Sequence, residues 1–495
     1  MRSAARRLPF ELAWERLVPS GPLIVFVLVF ARLLATPLAL LNDPDTYLHI
    51  AAGRWMLAHR ALPLHDPFSH SMAGAAWLPG EWLAQIALAV VYDAAGWGGV
   101  ILITAATVAL GVALLAHFLL SRLDPLPALI AAGAAAALLL PHTLARPHAL
   151  ALPLLVLWSG SVLAARDEGS GPPFRVLPTM VLWANLHASF MFGLALAAFL
   201  AAEAVLSPAP GRTRRAEALR WGPFAAAALA AALVTPFGTA GLVQPIRLVG
   251  MPALQTGFIE WLSPDFHHAP ALELWLLGVL FVGFASGVRL PAMRLVLLLG
   301  LVHMALQHVR HADLLAVVAP LAVAAALGRR LTELGPPVEA SPILRWSLRL
   351  AGPSALPAVA LSAALGVLMA LPLMLRPVIR GDDAATPGAA LAAAQRLGLG
   401  GPVFNSESFG GYLAFRGVPT FIDGRIEMYG NDFLARDIKA ERGDEASLEA
   451  ILSRHHIAWA LLLPDSGAAR LMRHLPGWRP AYADAHAVVF RRGGD

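Results

Sequence analysis

The chain has 495 residues, 58% hydrophobic and 14% charged, with a formal net charge of +5 and a mean hydropathy of +0.64. Water-soluble domains carry about 25% charged residues, so a purely soluble protein is excluded, and the lack of cysteine excludes disulfides and thiolate metal sites. The basic balance is not a nucleic-acid signal: Lys439 is the only lysine, and the arginines lie in loops between apolar runs.

In chain order, residues 1–20 carry Arg2, Arg6, Arg7 and Arg16. Short loops rich in Lys and Arg stay in the cytoplasm, so this segment is expected there. The first apolar run, about 21–41, has no small-residue cleavage site after it and predicts a retained helix rather than a signal peptide. Further runs of spanning character follow at about 98–121, 126–141, 148–165, 176–188, 190–206, 219–236, 271–287, 291–306, 313–328 and 354–376. That predicts a polytopic α-helical membrane domain of about eleven spans over 21–376, with an outer loop at 42–97. The pair 176–188 and 190–206 is short, which is tolerated where a segment lines a cavity.

The loop arginines orient the bundle. Arg212, Arg214, Arg215 and Arg220, then Arg289 and Arg294, then Arg329, Arg330, Arg345 and Arg349 fall on the cytoplasmic side with the N-terminus. The unusual polar motifs then fall together on the other side. They are Asp43-Pro44-Asp45, Arg146-Pro147-His148, Asn185-Leu186-His187, Glu260-Trp261 and His308-Val309-Arg310-His311. The cytoplasmic face is expected to carry only solvated charge.

A carboxylate pair at a membrane edge is costly to keep. Asp43 could serve simply as a cap, since Pro44 suits the first position of a helix. The pair is harder to explain that way. Asp45 and His49 lie four apart on one helical face, and Arg54, Trp55, His59 and Arg60 continue an amphipathic segment suited to the interface. A carboxylate there can take a proton from a hydroxyl or hold a divalent cation against a phosphate. Trp77, Glu81 and Trp82 complete the loop, as an aromatic belt or as a surface on which sugar rings stack. Glu81 also suits the positive end of the following helix. Arg146 and Arg310 are rare basic residues on the outer side, and a guanidinium fork fits phosphate. His308 and His311 flank Arg310 and could join it on a donor phosphate, while Arg247 suits snorkelling.

After residue 380 the composition turns globular. Residues 403–405, 420–422, 457–463 and 487–490 read as strands and 431–440 and 445–454 as helices, a small α/β domain over 380–495. By the span count it lies outside the cytoplasm. Gly410-Gly411 implies a tight turn or a close backbone approach, and Asp423 and Arg425 are expected to pair with each other, with acceptor recognition as the alternative role.

Asp43-Pro44-Asp45 with its loop, Trp183-Ala184-Asn185-Leu186-His187, the many spans and the outer α/β domain resemble the GT-C superfamily of membrane glycosyltransferases, near its bacterial protein mannosyltransferase-like and lipid A sugar transferase-like branches. The resemblance implies an inverting hexosyl- or pentosyltransferase in the bacterial inner membrane. Its donor would be a polyprenyl-phosphate sugar, its acceptor a lipid, glycan or protein, and its terminal domain periplasmic. It puts the base or metal ligand at Asp43 or Asp45, between which spacing does not choose. Phosphate binding falls to Arg146 and Arg310 with His308 and His311. Substrate contacts fall to His49, Glu81, Trp82, Asn185, His187 and Glu260, and Glu81, Asp66 and Glu260 compete for a second acidic role. The one cofactor left open is a divalent cation, Mg²⁺ or Mn²⁺. Membrane lipids are partners and nucleic acid is not. Two other classes remain: a glycolipid transporter or flippase, which would normally show inverted repeats, and a non-enzymatic envelope assembly protein, which would not need carboxylates gathered at one edge.

Overall fold

A computed structural model describes residues 17–267, 271–335 and 347–493. Arg2, Arg6, Arg7, Arg16 and Arg345 lie outside them. The membrane domain runs α1 (Gly21–Ala35), α2 (Asp45–His59), α3 (Trp82–Leu120), α4 (Pro125–Leu139), α5 (Pro147–Asp167), α6 (Leu177–Leu186), α7 (Phe190–Leu206), α8 (Arg214–Ala232), α9 (Thr239–Val249), α10 (Pro252–Gly257), α11 (Ala271–Ser286), α12 (Ala292–Gln307), α13 (Ala312–Leu334) and α14 (Leu356–Leu375). Proline opens many of them, among them α4, α5 and α10. Its missing N–H costs nothing in a first turn.

Each of the eleven expected stretches contains a helix, with residues 187–188 and 233–236 lying beyond the helix ends. Five helices are long and apolar enough to cross a membrane: Trp82–Leu120, Pro125–His142, Pro147–Asp167, Val309–Leu334 and Leu356–Leu375. Two helices show broad apolar faces to the outside, with Phe281 and Phe284 exposed on α11 and Leu356 and Leu375 on α14. A water-soluble surface does not carry such patches, and this is a membrane protein.

The outer loop is more structured than its sequence implies. α3 starts at Trp82 and is broken at Gly96, whose φ of 59° is non-helical, so its first half lies in the expected loop. α2 is not an interfacial helix. Tyr47, Ile50, Ala52 and Met56 are buried, because α3 packs on one side and the terminal domain on the other. Trp77 is buried too. It donates to Glu427 at 3.1 Å and faces the Arg425 guanidinium, and is no part of an aromatic belt.

The terminal domain follows as α15 (Gly388–Arg396), β1 (Val403–Asn405), α16 (Glu407–Phe415), α17 (Ile426–Tyr429), α18 (Asn431–Glu441), α19 (Glu445–Arg454), β2 (Trp459–Leu462), α20 (Gly467–Met472), β3 (Trp478–Ala483) and β4 (Val488–Arg492). The sheet order is β1-β2-β4-β3, with β1 and β2 parallel and the other pairs antiparallel. Residues 420–422 do not form the expected strand. Thr420 makes one parallel bridge to Ser69 of the outer loop. The Asn405 side chain takes up the Phe421 N–H and the Ile422 carbonyl, leaving no ladder to extend.

The end of the bundle expected to face the cytoplasm holds more than solvated charge. Arg294 is buried, donating at 2.8 Å to both Glu203 and Asp167, and Arg166 pairs with Glu203 at 3.1 Å. These charges sit on α12, α7 and α5, whose packing removes them from water, so they neutralise one another.

Candidate functional site

α1 ends in a short 3₁₀ turn over Pro37–Leu41, which delivers Asp43 to the start of α2. The Asp43 Oδ1 accepts the Asp45 N–H at 2.7 Å. The capping role is therefore real, but it uses one oxygen only. Arg146, extended just before Pro147, is held beside it: Ala145 N–H donates to Leu40 O at 2.8 Å and Thr46 Oγ1 to Ala145 O at 3.1 Å. Its guanidinium meets three carboxylates. Nε pairs with the other Asp43 oxygen, Nη2 with Asp45, and Nη1 with Glu260 at 3.0 Å. Glu260 also accepts from Arg310 at 3.1 Å, and Arg310 lies 4.4 Å over the Trp261 ring. Charges alternate from Asp43 and Asp45 through Arg146 and Glu260 to Arg310.

The far end of that row is the more open one: Asp43 is 1% exposed, Asp45 17%, Arg146 22%, Glu260 39% and Arg310 31%. Burial raises the Asp43 carboxyl to about 7 and Asp45 above its ordinary value, with Arg146 opposing both. At Glu260 burial pushes the same way, but Arg146 and Arg310 together hold the carboxyl below its ordinary value. A carboxylate whose affinity for a proton is raised toward neutral pH is suited to accept one.

A second group adjoins the row. Glu81 lies 3.4 Å from His187 and 3.9 Å from His49. Burial lifts its carboxyl to about 8, lowers the His49 imidazole to about 3 and holds His187 well below its usual range. These groups are neutral at neutral pH. Trp82 donates to Asn185 Oδ1 at 2.9 Å, and the Asn185 amide donates to the carbonyls of Val181 and Val234. Asn185 therefore positions Trp82, and it also lines the groove that opens beside that ring. His308 and His311 turn Nδ1 to the backbone carbonyls of Trp261 and Met304, so on that nitrogen neither is free for a phosphate.

The terminal domain closes on the acidic motif from the other side. A Cβ on Gly411 would meet the Pro44 carbonyl, and one on Gly424 would run into the Asp45 carboxylate. The glycine pair lies within α16 and not in a turn; the close approach is what it provides. Asp423 and Arg425 do pair, at 2.7 Å, and Arg425 reaches Asp66 at 2.5 Å. All three are buried, which removes Asp66 from the competition for a second acid and Asp423 and Arg425 from direct acceptor contact. Sequence reasoning missed Glu407, whose carboxyl is pushed well up by burial and by Asp45 nearby. An acid opening a helix gives no signal of that proximity.

Asp43, Asp45 and Glu260 are hard oxygen donors of the kind Mg²⁺ or Mn²⁺ prefers. As arranged they do not fit one. The Arg146 guanidinium fills the space between them, and among the described residues no three side chains form a metal-binding group.

An apolar groove of about 780 Å³ begins one residue from Glu81. Trp82, Leu83, Leu177, Val181 and Val234 line it, from α3, α6 and the end of α8.

No protein-family model and no curated protein sequence matches the chain. Solved structures do. The apo oligosaccharyltransferase of Archaeoglobus fulgidus aligns over 92% of this chain and 70% of its own, at 12% identity and a TM-score of 0.52. The archaeal oligosaccharyltransferase AglB of the same organism, bound to an inhibitory peptide and a dolichol-phosphate, aligns over the same shares at 13% identity and a TM-score of 0.54. The chain therefore has the GT-C fold.

Proposed function

We propose that this protein is a glycosyltransferase of the bacterial inner membrane. It moves one hexosyl or pentosyl unit, with inversion, from a polyprenyl-phosphate carrier to a lipid, glycan or protein acceptor on the periplasmic side. The observation that carries this reading is the meeting of Asp43, Asp45 and Glu260 on Arg146, in a chain whose apolar groove starts at Trp82, next to Glu81. The groove suits an isoprenoid chain, and the charged row suits the phosphate and the reacting sugar. The fold is that of an oligosaccharyltransferase solved with a dolichol-phosphate, which agrees with a lipid-linked donor.

Asp45 is the base in this reading. It is the more accessible of the pair, and only one of its oxygens meets Arg146, whereas Asp43 is buried with both oxygens engaged. Asp45 takes the proton of the acceptor hydroxyl. The freed oxygen bonds to the anomeric carbon as its bond to the carrier phosphate breaks, and that electron pair leaves with the phosphate. Arg310, at the open end of the row, stabilises the new charge there. Arg146 keeps Asp43 and Asp45 in place, and no step is routed through a metal.

The test is transfer from native lipid-linked sugars in isolated membranes. Asp45→Asn keeps shape and loses the base, so transfer should fall by about 10²–10⁴-fold with insertion unchanged. Asp43→Asn keeps an oxygen to accept the Asp45 N–H and should cost less. Wild-type transfer by both single variants and by the double variant would defeat the reading.

A further inference from the structure

A second cavity, of about 530 Å³, opens in the terminal domain between α18, α19 and the outer-loop residues Ser71 and Met72. Four rings meet in its wall. Phe433 lies 5.1 Å from Phe421 and 5.0 Å from Tyr429, and His455 lies 5.2 Å from Phe421. Two exposed guanidiniums, Arg436 and Arg454, stand at its rim. Among the described residues neither has a side-chain partner, and Asp432 is the one carboxylate in the lining. Arg454 ends α19, where the helix dipole alone favours a cation. Arg436 lies mid-helix in α18, one turn after Phe433, and has no such reason. The local field is positive: besides burial, His70 and these two arginines lower the His455 imidazole.

A cavity of this size fits a small ligand. Aromatic walls offer flat apolar faces to a ring, and unpaired guanidiniums offer forks to a carboxylate or phosphate. We propose that this cavity binds a saccharide bearing a carboxylate or phosphate, as the acceptor subsite. Its assignment to the acceptor rests on the transfer reading above; binding itself does not. The segment 421–429 joins the two places, since Phe421 and Tyr429 wall the cavity while Tyr429 bonds to Asp423, next to Gly424 against Asp45.

The test uses the full-length protein in detergent, with D-glucuronate and glucose 1-phosphate as probes, read by saturation-transfer difference NMR. Glucose and inorganic phosphate are the controls. Both charged saccharides should bind through their ring protons, about tenfold more tightly than either control, and Arg436→Ala and Arg454→Ala should each weaken them about tenfold. Both arginines are exposed, so neither change threatens folding. Glucose binding as well as the charged probes, binding of inorganic phosphate alone, indifference to both arginine changes, or no binding at all would each overturn the proposal. Asp45→Asn should bind the probes as wild type does. Unchanged transfer in that variant, in Asp43→Asn and in the double variant would sink the catalytic reading while leaving the cavity standing.

Discussion

At Glu81 a single proton decides the chemistry. The residue lies between His187 and His49, yet burial keeps the acid protonated and the imidazoles neutral, so these contacts are not ion pairs. A raised carboxyl means that the folded chain holds its proton more tightly than the unfolded one. Its stabilising contribution is complete below the ordinary value of 4.5 and is lost as pH rises through about 8. Glu81→Gln imitates the protonated acid. Below that window its stability should stay within about 1 kcal/mol of wild type, and the alkaline decline across the window should flatten. Melting curves in detergent against pH check this; an unchanged alkaline decline would mean that Glu81 is ionised throughout. Asp43, Asp45, Arg146, Glu260 and Arg310 could be picked from the sequence because charge is scarce at a membrane edge. Their order in one alternating row could not, since each partner comes from a different part of the chain.

α16 and the segment after residue 420 press on the start of α2, and glycine makes the approach possible. Gly424→Ala puts a methyl group into the Asp45 carboxylate. Overpacking of this kind costs about 1–3 kcal/mol when neighbours must move, and here the neighbour is the proposed base. Transfer should fall at least tenfold, about the equivalent of 1.4 kcal/mol, while the melting of the span bundle stays near wild type. Retained transfer would show that Asp45 tolerates displacement. Other elements were legible locally: β1 and β2 follow from short buried strand-forming runs, and α18 and α19 from helical periodicity. Residues 420–422 misled because Thr-Phe-Ile, a β-branched and aromatic triplet, reads as a strand whether or not a neighbour offers a ladder, and here Asn405 offers a side chain instead.

Across the whole molecule, two charge clusters sit at opposite ends of the bundle. At the end away from Asp43, Arg294 holds Glu203 and Asp167. Arg294→Leu would leave Glu203 to Arg166 alone and Asp167 to Arg122 at 3.9 Å, and breaking a buried pair from one side costs about 3–5 kcal/mol. Chemical denaturation in detergent should show a loss of that order; a neutral result would mean that water reaches the cluster. The proposed topology predicts that reporter fusions after Ser121 report the cytoplasm and those after Asn185 and Asp495 the periplasm. A cytoplasmic signal at Asp495 would invert the membrane and move the site to the other face.

The sequence by itself determined that the chain is a helical membrane protein, where its most apolar helices run, and that a mixed α/β domain follows them. Those properties depend on composition and periodicity over neighbouring residues, and every chain of that pattern shares them. Tertiary structure alone decided which charges meet across the chain. Arg146 reaches Asp45 and Glu260 across 101 and 114 residues of chain, a meeting that depends on how helices pack and not on any local preference. The same packing buried α2, drew Arg294 out of solvent and set Gly424 against Asp45. Each is a contact between distant segments, so its energy appears only once the bundle and the terminal domain have closed on one another.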